Sequence, residues 1–305
     1  MKKSFSRIVL FSVVLCCVLY AAEYAIDSYY LKKANSKFTR FFAHKIDADI
    51  MIFGSSVAYH QLDPAMVSDS TGLQTYNMAW DAFFFVQYKA LVHEFVSYSK
   101  RCKYVIFSCD FDNLGRNKLI TRPDLFLALL HNDHVYEALH DIEPEKMWRA
   151  RYVPGYKLTL LNTSFYRSII FPPKTPAVDN GYSAVTTDDW EVVSDTLHPF
   201  HARFNEEVYA SLKSTIDELT AKGIKVIIVM PPVYKEGYDR ILNAEAIRER
   251  YAALVRKDVY FIDRTQDTLL SGSRSNFVNY SHLNRRGAEI YSRTLAGQIR
   301  EIVEE

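Results

Sequence analysis

Short apolar runs alternate along this sequence with longer segments in which apolar residues recur at helical spacing. Strands that are buried on both faces of a sheet give continuous apolar runs, and the longer segments fit amphipathic helices. The alternation therefore predicts an α/β fold, in which a parallel sheet of about five strands carries helices on both faces. The predicted strands are 50–53, 74–76, 104–108, 226–230 and 259–262.

The helical segments have the length and the end signals of ordinary surface helices. Gly223 stands directly after one of them, where a glycine commonly ends a helix in a left-handed conformation. The principal predicted helices are 83–100, 205–223, 243–257 and 285–305.

The spacing of the strands breaks between the third and the fourth. Residues 113–203 contain several short helical patterns but no comparable apolar run. A structureless loop of this length is improbable within a compact domain. We therefore predict a mostly helical insertion at 113–203 within an α/β domain that spans 48–305.

The N-terminal region predicts a membrane anchor. Lys2, Lys3 and Arg7 precede an apolar stretch, 8–26, which is 19 residues long with a single acidic interruption. As a helix it would measure about 28 Å, close to the thickness of a bilayer's hydrocarbon core. The basic flank predicts that the N-terminus stays in the cytoplasm and that the remainder is exported.

We therefore predict an anchor at 1–26, a juxtamembrane linker or helix at 27–47, and a single-pass protein of the cytoplasmic (inner) membrane with a periplasmic or extracellular C-terminal domain. A cleaved signal peptide is the alternative. Cleavage after Ala22 would put the bulky Tyr20 where a small residue is required, so the sequence favours an uncleaved anchor.

Charge and cysteine content narrow the possible ligands and the possible sources of stability. The net charge is +1, which gives no global electrostatic attraction to nucleic acid. Outside the predicted anchor the cysteines are Cys102 and Cys109, which flank a predicted strand. Their separation in an extended chain, roughly 23 Å, excludes a disulfide between them. We expect the exported part to be stabilised by its core.

Candidate chemistry lies where two of the predicted strands are followed by polar loops. Gly54, Ser55 and Ser56 directly follow the first strand, and His282 stands in a polar loop just before the last helix. Ligands of open α/β sheets bind beyond the carboxyl ends of the strands. A serine and a histidine from these loops could meet there. The segment 230–234 ends the fourth strand at the same edge, and we expect it to line the pocket.

The segments "FGSS" (53–56) and "HLNRRG" (282–287) resemble the first and last sequence blocks of the SGNH (GDSL-type) hydrolase superfamily. The likeness is to its membrane-anchored cell-envelope branch, which includes D-alanyl-transfer and alginate O-acetylation proteins. It implies a flavodoxin-like three-layer sandwich with strand order 2-1-3-4-5, and catalysis without cofactor or metal. It also implies that Ser56 is the nucleophile, that its N–H is an oxyanion donor, and that His282 is the general base.

The sequence departs from the pattern of that superfamily at three positions. Asn279 occupies the place of the acid that orients the histidine. Ala79 replaces the glycine whose N–H would bind the oxyanion, and Asn113 is the candidate substitute for the third oxyanion donor. An asparagine oxygen can still hold an imidazole N–H, but it cannot stabilise imidazolium by charge.

We further expect that several neighbours of the two motifs contact the substrate. These residues are Ser55, His60, Tyr280, Asn284 and Arg285.

The sequence is compatible with three functions. The preferred one is a serine-dependent esterase or O-acyltransferase that acts on an acylated envelope polysaccharide or similar polymer through an acyl-Ser56 intermediate. The alternative is a catalytically impaired module that binds glycan or assembles a complex. A third is an anchored helper whose insertion, 113–203, docks a membrane acyltransferase. A carboxylate reaching His282, with Asp110 and Asp112 as candidates, would favour the enzyme.

Overall fold

The computed structural model describes residues 2–33, 36–115, 120–161, 180–190 and 198–305. The chain divides into two compact units. The N-terminal unit comprises Met1–Lys45 and Lys118–Pro176, and the α/β unit comprises Ile46–Asn117 and Ala177–Glu305.

The helices and strands of the described ranges follow one another along the chain in the order below. They are α1 (Lys2–Lys33), α2 (Lys37–Phe42), β1 (Ile50–Gly54), α3 (Ser56–Gln61), α4 (Pro64–Thr71), β2 (Thr75–Asn77), α5 (Phe85–Tyr98), β3 (Tyr104–Ser108), α6 (Pro123–Phe126), a 3-10 turn (Leu127–Leu129), α7 (Asp133–His140), α8 (Pro144–Tyr152), α9 (Tyr156–Leu160), α10 (Glu206–Ala221), β4 (Lys225–Met230), α11 (Lys235–Tyr238), α12 (Ala244–Ala252), β5 (Val259–Asp263), a 3-10 turn (Arg274–Asn276) and α13 (Arg285–Glu304).

The sheet of the α/β unit is entirely parallel, and its strand order is β2-β1-β3-β4-β5. The predicted three-layer fold and its strand order are confirmed. The five residues of β1 and the five of β3 are all buried, which explains why these strands are continuously apolar. Gly54 pairs with Ser108, and Ser108 pairs with Val229, so the carboxyl ends of the three central strands are level.

Alternating side chains of the strands build one core on each face of the sheet. Ile52 and Ile106 belong to the cluster that α3, α4 and α13 cover. Phe53 and Phe107 point to the other face, where the Phe53 ring contacts Phe95 of α5 at a centroid distance of 6.4 Å. The predicted helices therefore lie on both faces, each displaced from its predicted bounds by a few residues at most.

The N-terminal unit contains the candidate membrane helix. Within the described residues, Lys3–Lys32 is long and apolar enough to cross a membrane, with a mean hydropathy of 2.2 over its most apolar stretch. α1 continues as one helix past the predicted end of the anchor at 26 to Lys33, and α2 starts at Lys37.

The predicted insertion is divided by the structure. Its described part between 120 and 161 is helical and belongs to the N-terminal unit, whereas residues 180–190 and 198–203 belong to the α/β unit. The remainder of 113–203, at 116–119, 162–179 and 191–197, lies outside the described residues.

The C-terminal part of α1 carries buried charges that are matched within the N-terminal unit. Asp27 is 4% exposed and forms an ion pair with the equally buried Lys157. The Glu23 carboxylate accepts a hydrogen bond from the N–H of Gly155 at 3.0 Å. Because an unpaired buried charge is strongly unfavourable, these contacts fix α1 against the α8–α9 connection.

Removing one partner of the Asp27–Lys157 pair should destabilise the N-terminal unit. We expect Asp27→Asn and Lys157→Met each to lower its free energy of unfolding by about 3–5 kcal/mol, because a buried charge is left uncompensated. The double variant should recover much of the loss. Urea-dependent proteolysis within 120–161, in the detergent-solubilised chain, measures both effects.

The matched control is the exposed pair of Arg149 and Glu145 on α8. Glu145→Gln should cost less than about 1 kcal/mol, because water screens surface ion pairs. A double Asp27→Asn/Lys157→Met variant less stable than either single variant would contradict this account of the pair.

Candidate active site

The turn between β1 and α3 depends on a close approach to the neighbouring strand. A Cβ atom on Gly54 would lie 2.9 Å from the carbonyl oxygen of Ser108 and 3.0 Å from the Cβ of Ala58. Only glycine fits between these groups. The chain can therefore pass directly from β1 into α3, whose first residue is Ser56.

Ser56 and His282 meet at this edge of the sheet. The Ser56 Oγ lies 2.8 Å from the His282 Nε2, although 226 positions separate them in the sequence. Both residues are partly exposed and line one cavity. The distance is within hydrogen-bond range, as a nucleophile and its general base require.

Asn279 orients the imidazole of His282. Its Oδ1 accepts hydrogen bonds from the backbone N–H groups of Ser281, at 3.1 Å, and His282, at 2.9 Å, which identifies this atom as the oxygen. The same oxygen lies 3.1 Å from the His282 Nδ1. The Ser281 Oγ also lies 3.1 Å from this nitrogen. Because the Asn279 carbonyl oxygen can only accept, its contact is a hydrogen bond in the tautomer that carries the proton on Nδ1, and in that tautomer Nε2 can accept the Ser56 proton.

A second hydrogen-bond network involves Ser55, the serine that precedes Ser56. The Ser55 Oγ donates to the Asp110 Oδ2 at 2.9 Å, and the N–H of Asp112 donates to the Asp110 Oδ1 at 3.0 Å. Neither Asp110 nor Asp112 is hydrogen-bonded to His282. Of the two carboxylates that the sequence offered as partners of the histidine, Asp110 instead binds Ser55 and the loop after β3, and Asp112 accepts a hydrogen bond from the N–H of Arg203.

Burial dominates the ionisation of Asp110. It raises the pKa of the carboxyl group above its ordinary value, and the hydrogen bonds from Asn113 and Ser55 act in the opposite direction. Asn113 is itself enclosed, and its Oδ1 accepts a hydrogen bond from the Tyr88 hydroxyl at 2.8 Å.

The positions of Ala79 and Asn113 do not fit the oxyanion roles that we expected. The Ala79 N–H donates to the Asn77 Oδ1 at 3.0 Å, and Ala79 is buried outside the cavity lining. Asn113, also outside the lining, is directed towards Asp110 and Tyr88. The reason is that both groups are used within their own loops. Asn77 accepts the hydrogen bond of the Ala79 N–H, and Asp110 accepts one from Asn113. The loop after β2 reaches the cavity through Ala82 instead, which has a φ of 59°.

Two of the five expected substrate contacts, Ser55 and Tyr280, line the cavity. His60 does not. Its Nε2 lies 2.8 Å from the Asp81 Oδ1 and its Nδ1 lies 2.7 Å from the carbonyl oxygen of Ser183. Both ring nitrogens are thus engaged with the loops around α3.

Asn284 and Arg285 also lie outside the lining. Asn284 is the N-cap of α13, where its Oδ1 accepts a hydrogen bond from the N–H of Gly287 at 2.9 Å. Arg285 is exposed and lies 3.4 Å from the Asp188 carboxylate. The Asn and Gly of the "HLNRRG" segment therefore build the start of the helix that follows His282.

The cavity has a volume of about 490 Å³ and is mainly apolar. The expectation that 230–234 lines it holds for Met230, Pro231 and Val233. No pattern in the sequence indicated Phe200, Arg240 or Ile241, which a long-range bridge between Phe200 and Ile241 brings together. The remaining apolar residues of the lining are Val57, Ala82, Phe83, Phe84 and Phe111.

A hydroxyl group lies within hydrogen-bond distance of an imidazole, and a third side chain contacts the other nitrogen of that imidazole. This geometry is the one that nucleophilic catalysis by a serine requires. In the described ranges, His, Cys, Asp and Glu side chains form no group of three or more that could hold a metal ion.

No protein-family model matches the chain, and no curated protein matches it either. Among solved structures, a Streptococcus pneumonia protein provisionally described as a platelet activating factor is similar, with 10% identity and a TM-score of 0.45, over 96% of this chain and 99% of that one. A provisionally assigned acylhydrolase from Bacteroides fragilis is also similar, with 10% identity and a TM-score of 0.45, over 89% of this chain and 98% of that one. Likenesses at this level say nothing about the reaction of this chain.

Asp110 should make the stability of the α/β unit depend on pH. Its pKa is higher in the folded chain than in the unfolded chain, so the folded state retains a proton that the unfolded state releases. The resulting stabilisation is complete at low pH and is lost as the pH rises through the raised pKa. The free energy of unfolding of wild type relative to Asp110→Asn should therefore fall as the pH rises from the ordinary pKa of an aspartate through the raised one, by at most about 1.4 kcal/mol per pH unit.

Urea denaturation followed by tryptophan fluorescence measures this difference. The control is Asp69→Asn, which removes an exposed carboxylate and should not change the pH slope. Parallel pH curves for wild type and Asp110→Asn would contradict the assignment.

Proposed function

We propose that this chain is a serine-dependent esterase or O-acyltransferase. The observation that carries the proposal is the hydrogen-bonded series Ser56 Oγ–His282 Nε2–His282 Nδ1–Asn279 Oδ1. It contains a nucleophile, a base in the tautomer that accepts a proton, and an orienting group.

In the first half of the reaction, the Ser56 Oγ forms a bond to the carbonyl carbon of an ester while its proton passes to the His282 Nε2. The backbone N–H of Ser56 is the oxyanion donor that the family resemblance implies. The tetrahedral intermediate then breaks its bond to the alcohol oxygen, which takes the proton back from His282. The products are an acyl-Ser56 and a free alcohol.

In the second half, a water molecule or the hydroxyl of an acceptor attacks the acyl carbon. His282 removes the proton of the attacking group and returns it to the Ser56 Oγ as the acyl bond breaks. Water gives hydrolysis and an acceptor hydroxyl gives transfer. The apolar residues of the cavity, such as Val57 and Phe111, suit an acyl chain or another apolar part of the substrate and limit the access of water.

The proposed substrate is an acylated envelope polysaccharide or a similar polymer. The support for it is the candidate membrane helix, Lys3–Lys32, together with the family resemblance of the two motifs. In this proposal α1 anchors the chain in the cytoplasmic membrane and the α/β unit is exported. Docking of a membrane acyltransferase by 113–203 stays a prediction.

The second candidate function is binding of an acylated glycan, or assembly of a complex, without turnover. The observation that favours it is the amide at the acid position. Asn279 holds His282 in place but cannot stabilise the imidazolium that forms during catalysis, and Asp110 and Asp112 are engaged elsewhere.

A serine-reactive fluorophosphonate distinguishes the two functions. We expect the wild-type chain to be labelled and Ser56→Ala not to be labelled, because the nucleophile is absent. His282→Ala should be labelled at least about a hundredfold more slowly, since the general base is lost. Gel fluorescence after timed labelling measures the rates.

Ser55→Ala is the matched control, because the neighbouring hydroxyl is bonded to Asp110 and is not the expected site of attachment. This variant should still be labelled. A folded wild-type chain that remains unlabelled would exclude the esterase and favour the binding module.

Asn279→Asp tests the orienting group. The Asn279 oxygen already selects the productive tautomer, so a carboxylate at this position adds only charge stabilisation of the imidazolium. We expect kcat for a 4-nitrophenyl ester to rise about ten- to a hundredfold. Asn113→Asp, a matched amide-to-acid change away from the cavity, should not raise it. An equal or lower kcat for Asn279→Asp would show that the charge does not limit turnover.

A further inference from the structure

Arg240 lies in the wall of the cavity that contains Ser56 and His282. It follows the short helix α11, and its guanidinium carbon lies 5.0 Å from the centre of the Tyr280 ring. Its Nη1 is enclosed by protein and has no hydrogen-bond partner among the residues that the structure describes. Arg240 also forms no ion pair with any carboxylate of the described ranges.

The lack of a counter-charge among the described residues distinguishes Arg240 from the other partly buried arginines of the α/β unit. Arg248 on α12 pairs with both Asp263 and Glu245, and Arg264 pairs with Asp267. A partly buried guanidinium without a counter-charge is unfavourable unless something compensates it. A residue of this kind in a ligand cavity indicates that the compensation comes from a ligand.

The acidic side chains of the same cavity do not compensate the charge of Arg240. The Asp110 carboxylate accepts hydrogen bonds from the Ser55 hydroxyl and the Asp112 N–H. The Asp112 carboxylate accepts a hydrogen bond from the N–H of Arg203 at 3.4 Å. The hydrogen bonds of these two carboxylates are therefore to Ser55, the loop after β3 and Arg203, and no ion pair joins either of them to Arg240.

The guanidinium group is suited to one class of ligand. Its planar fork of N–H donors binds carboxylate and phosphate groups through paired, charge-assisted hydrogen bonds. Packing on the Tyr280 ring restricts the orientation of this fork and leaves its charge intact. Apolar side chains such as Phe111 and Ile241 make up much of the remaining lining.

We infer that Arg240 binds an anionic group, a carboxylate or a phosphate, carried by the ester that Ser56 attacks. The inference rests on the proposed function and narrows its substrate class to anionic esters. The anionic group can belong to the acyl part or to the alcohol part of the ester.

Matched ester pairs test the inference in the detergent-solubilised full chain. For the acyl part, the pair is 4-nitrophenyl hemisuccinate and 4-nitrophenyl pentanoate. For the alcohol part, the pairs are 4-acetoxybenzoate and 4-acetoxyphenyl phosphate, each against methyl 4-acetoxybenzoate. The readout is the ratio of kcat/KM for the anionic ester to that for the neutral one.

We expect wild type to prefer the anionic ester in at least one pair. Arg240→Met should lower that ratio about ten- to a hundredfold, and Arg240→Lys should retain part of the preference because it keeps the charge. Arg293→Met is the control, since Arg293 is exposed and lies outside the cavity. It should leave the ratio unchanged. Thermal unfolding of each variant verifies folding.

A binding experiment tests the inference separately from the reaction. In the Ser56→Ala background, calorimetry compares the affinity for the same three anionic esters with and without Arg240→Met. Weaker binding of one ester in the double variant supports the anion site. This holds even if the wild-type chain hydrolyses none of the esters and is not labelled by the fluorophosphonate, because those two results would reject only the esterase. Ratios and affinities that are unaffected by Arg240→Met in every pair would overturn the anion site.

Discussion

The close approach of β1 to β3 at Gly54 is the constraint on which the candidate site depends. No side chain fits between Gly54 and the carbonyl oxygen of Ser108, so the chain leaves the sheet without a detour and begins α3 at Ser56. The level carboxyl ends of the central strands place the loops after β1 and β3 beside each other. The contact of Ser55 with Asp110 is a direct consequence, and it leaves Ser56 as the serine that faces His282.

The loop before α13 contains a second constraint of the same kind. A Cβ on Gly287 would lie 2.2 Å from the carbonyl oxygen of Asn276, and Asn284 caps the helix from the adjacent turn. These contacts fix the backbone on the C-terminal side of His282. On its N-terminal side, the Asn279 oxygen binds two backbone N–H groups and the imidazole together. The histidine is thus positioned by a pre-formed loop, as a catalytic base requires.

The two units treat buried charge in different ways. Asp27 and Lys157 neutralise each other in the N-terminal unit, where the pair contributes to structure. In the cavity of the α/β unit, Asp110 is held by hydrogen bonds, and Arg240 packs on an aromatic ring without a counter-charge in the described ranges. A structural ion pair is complete in itself, whereas an uncompensated charge beside the proposed nucleophile fits a site that is completed by its ligand.

The sequence alone determined the five parallel strands and the main helices, and it singled out Ser56 and His282 as the proposed reacting pair. These features follow from local patterns: apolar runs, helical periodicity, and short motifs whose glycines are required by close backbone contacts. The tertiary structure decided which hydrogen-bond donors remained available to bind an oxyanion. Ala79 and Asn113 occupy the expected loops, but Asn77, Asp110 and Tyr88 take up their hydrogen-bonding groups. No local pattern in the sequence predicted that Arg240 lines the cavity. Hydrogen-bond partners and cavity walls are set by contacts between residues that are distant in sequence.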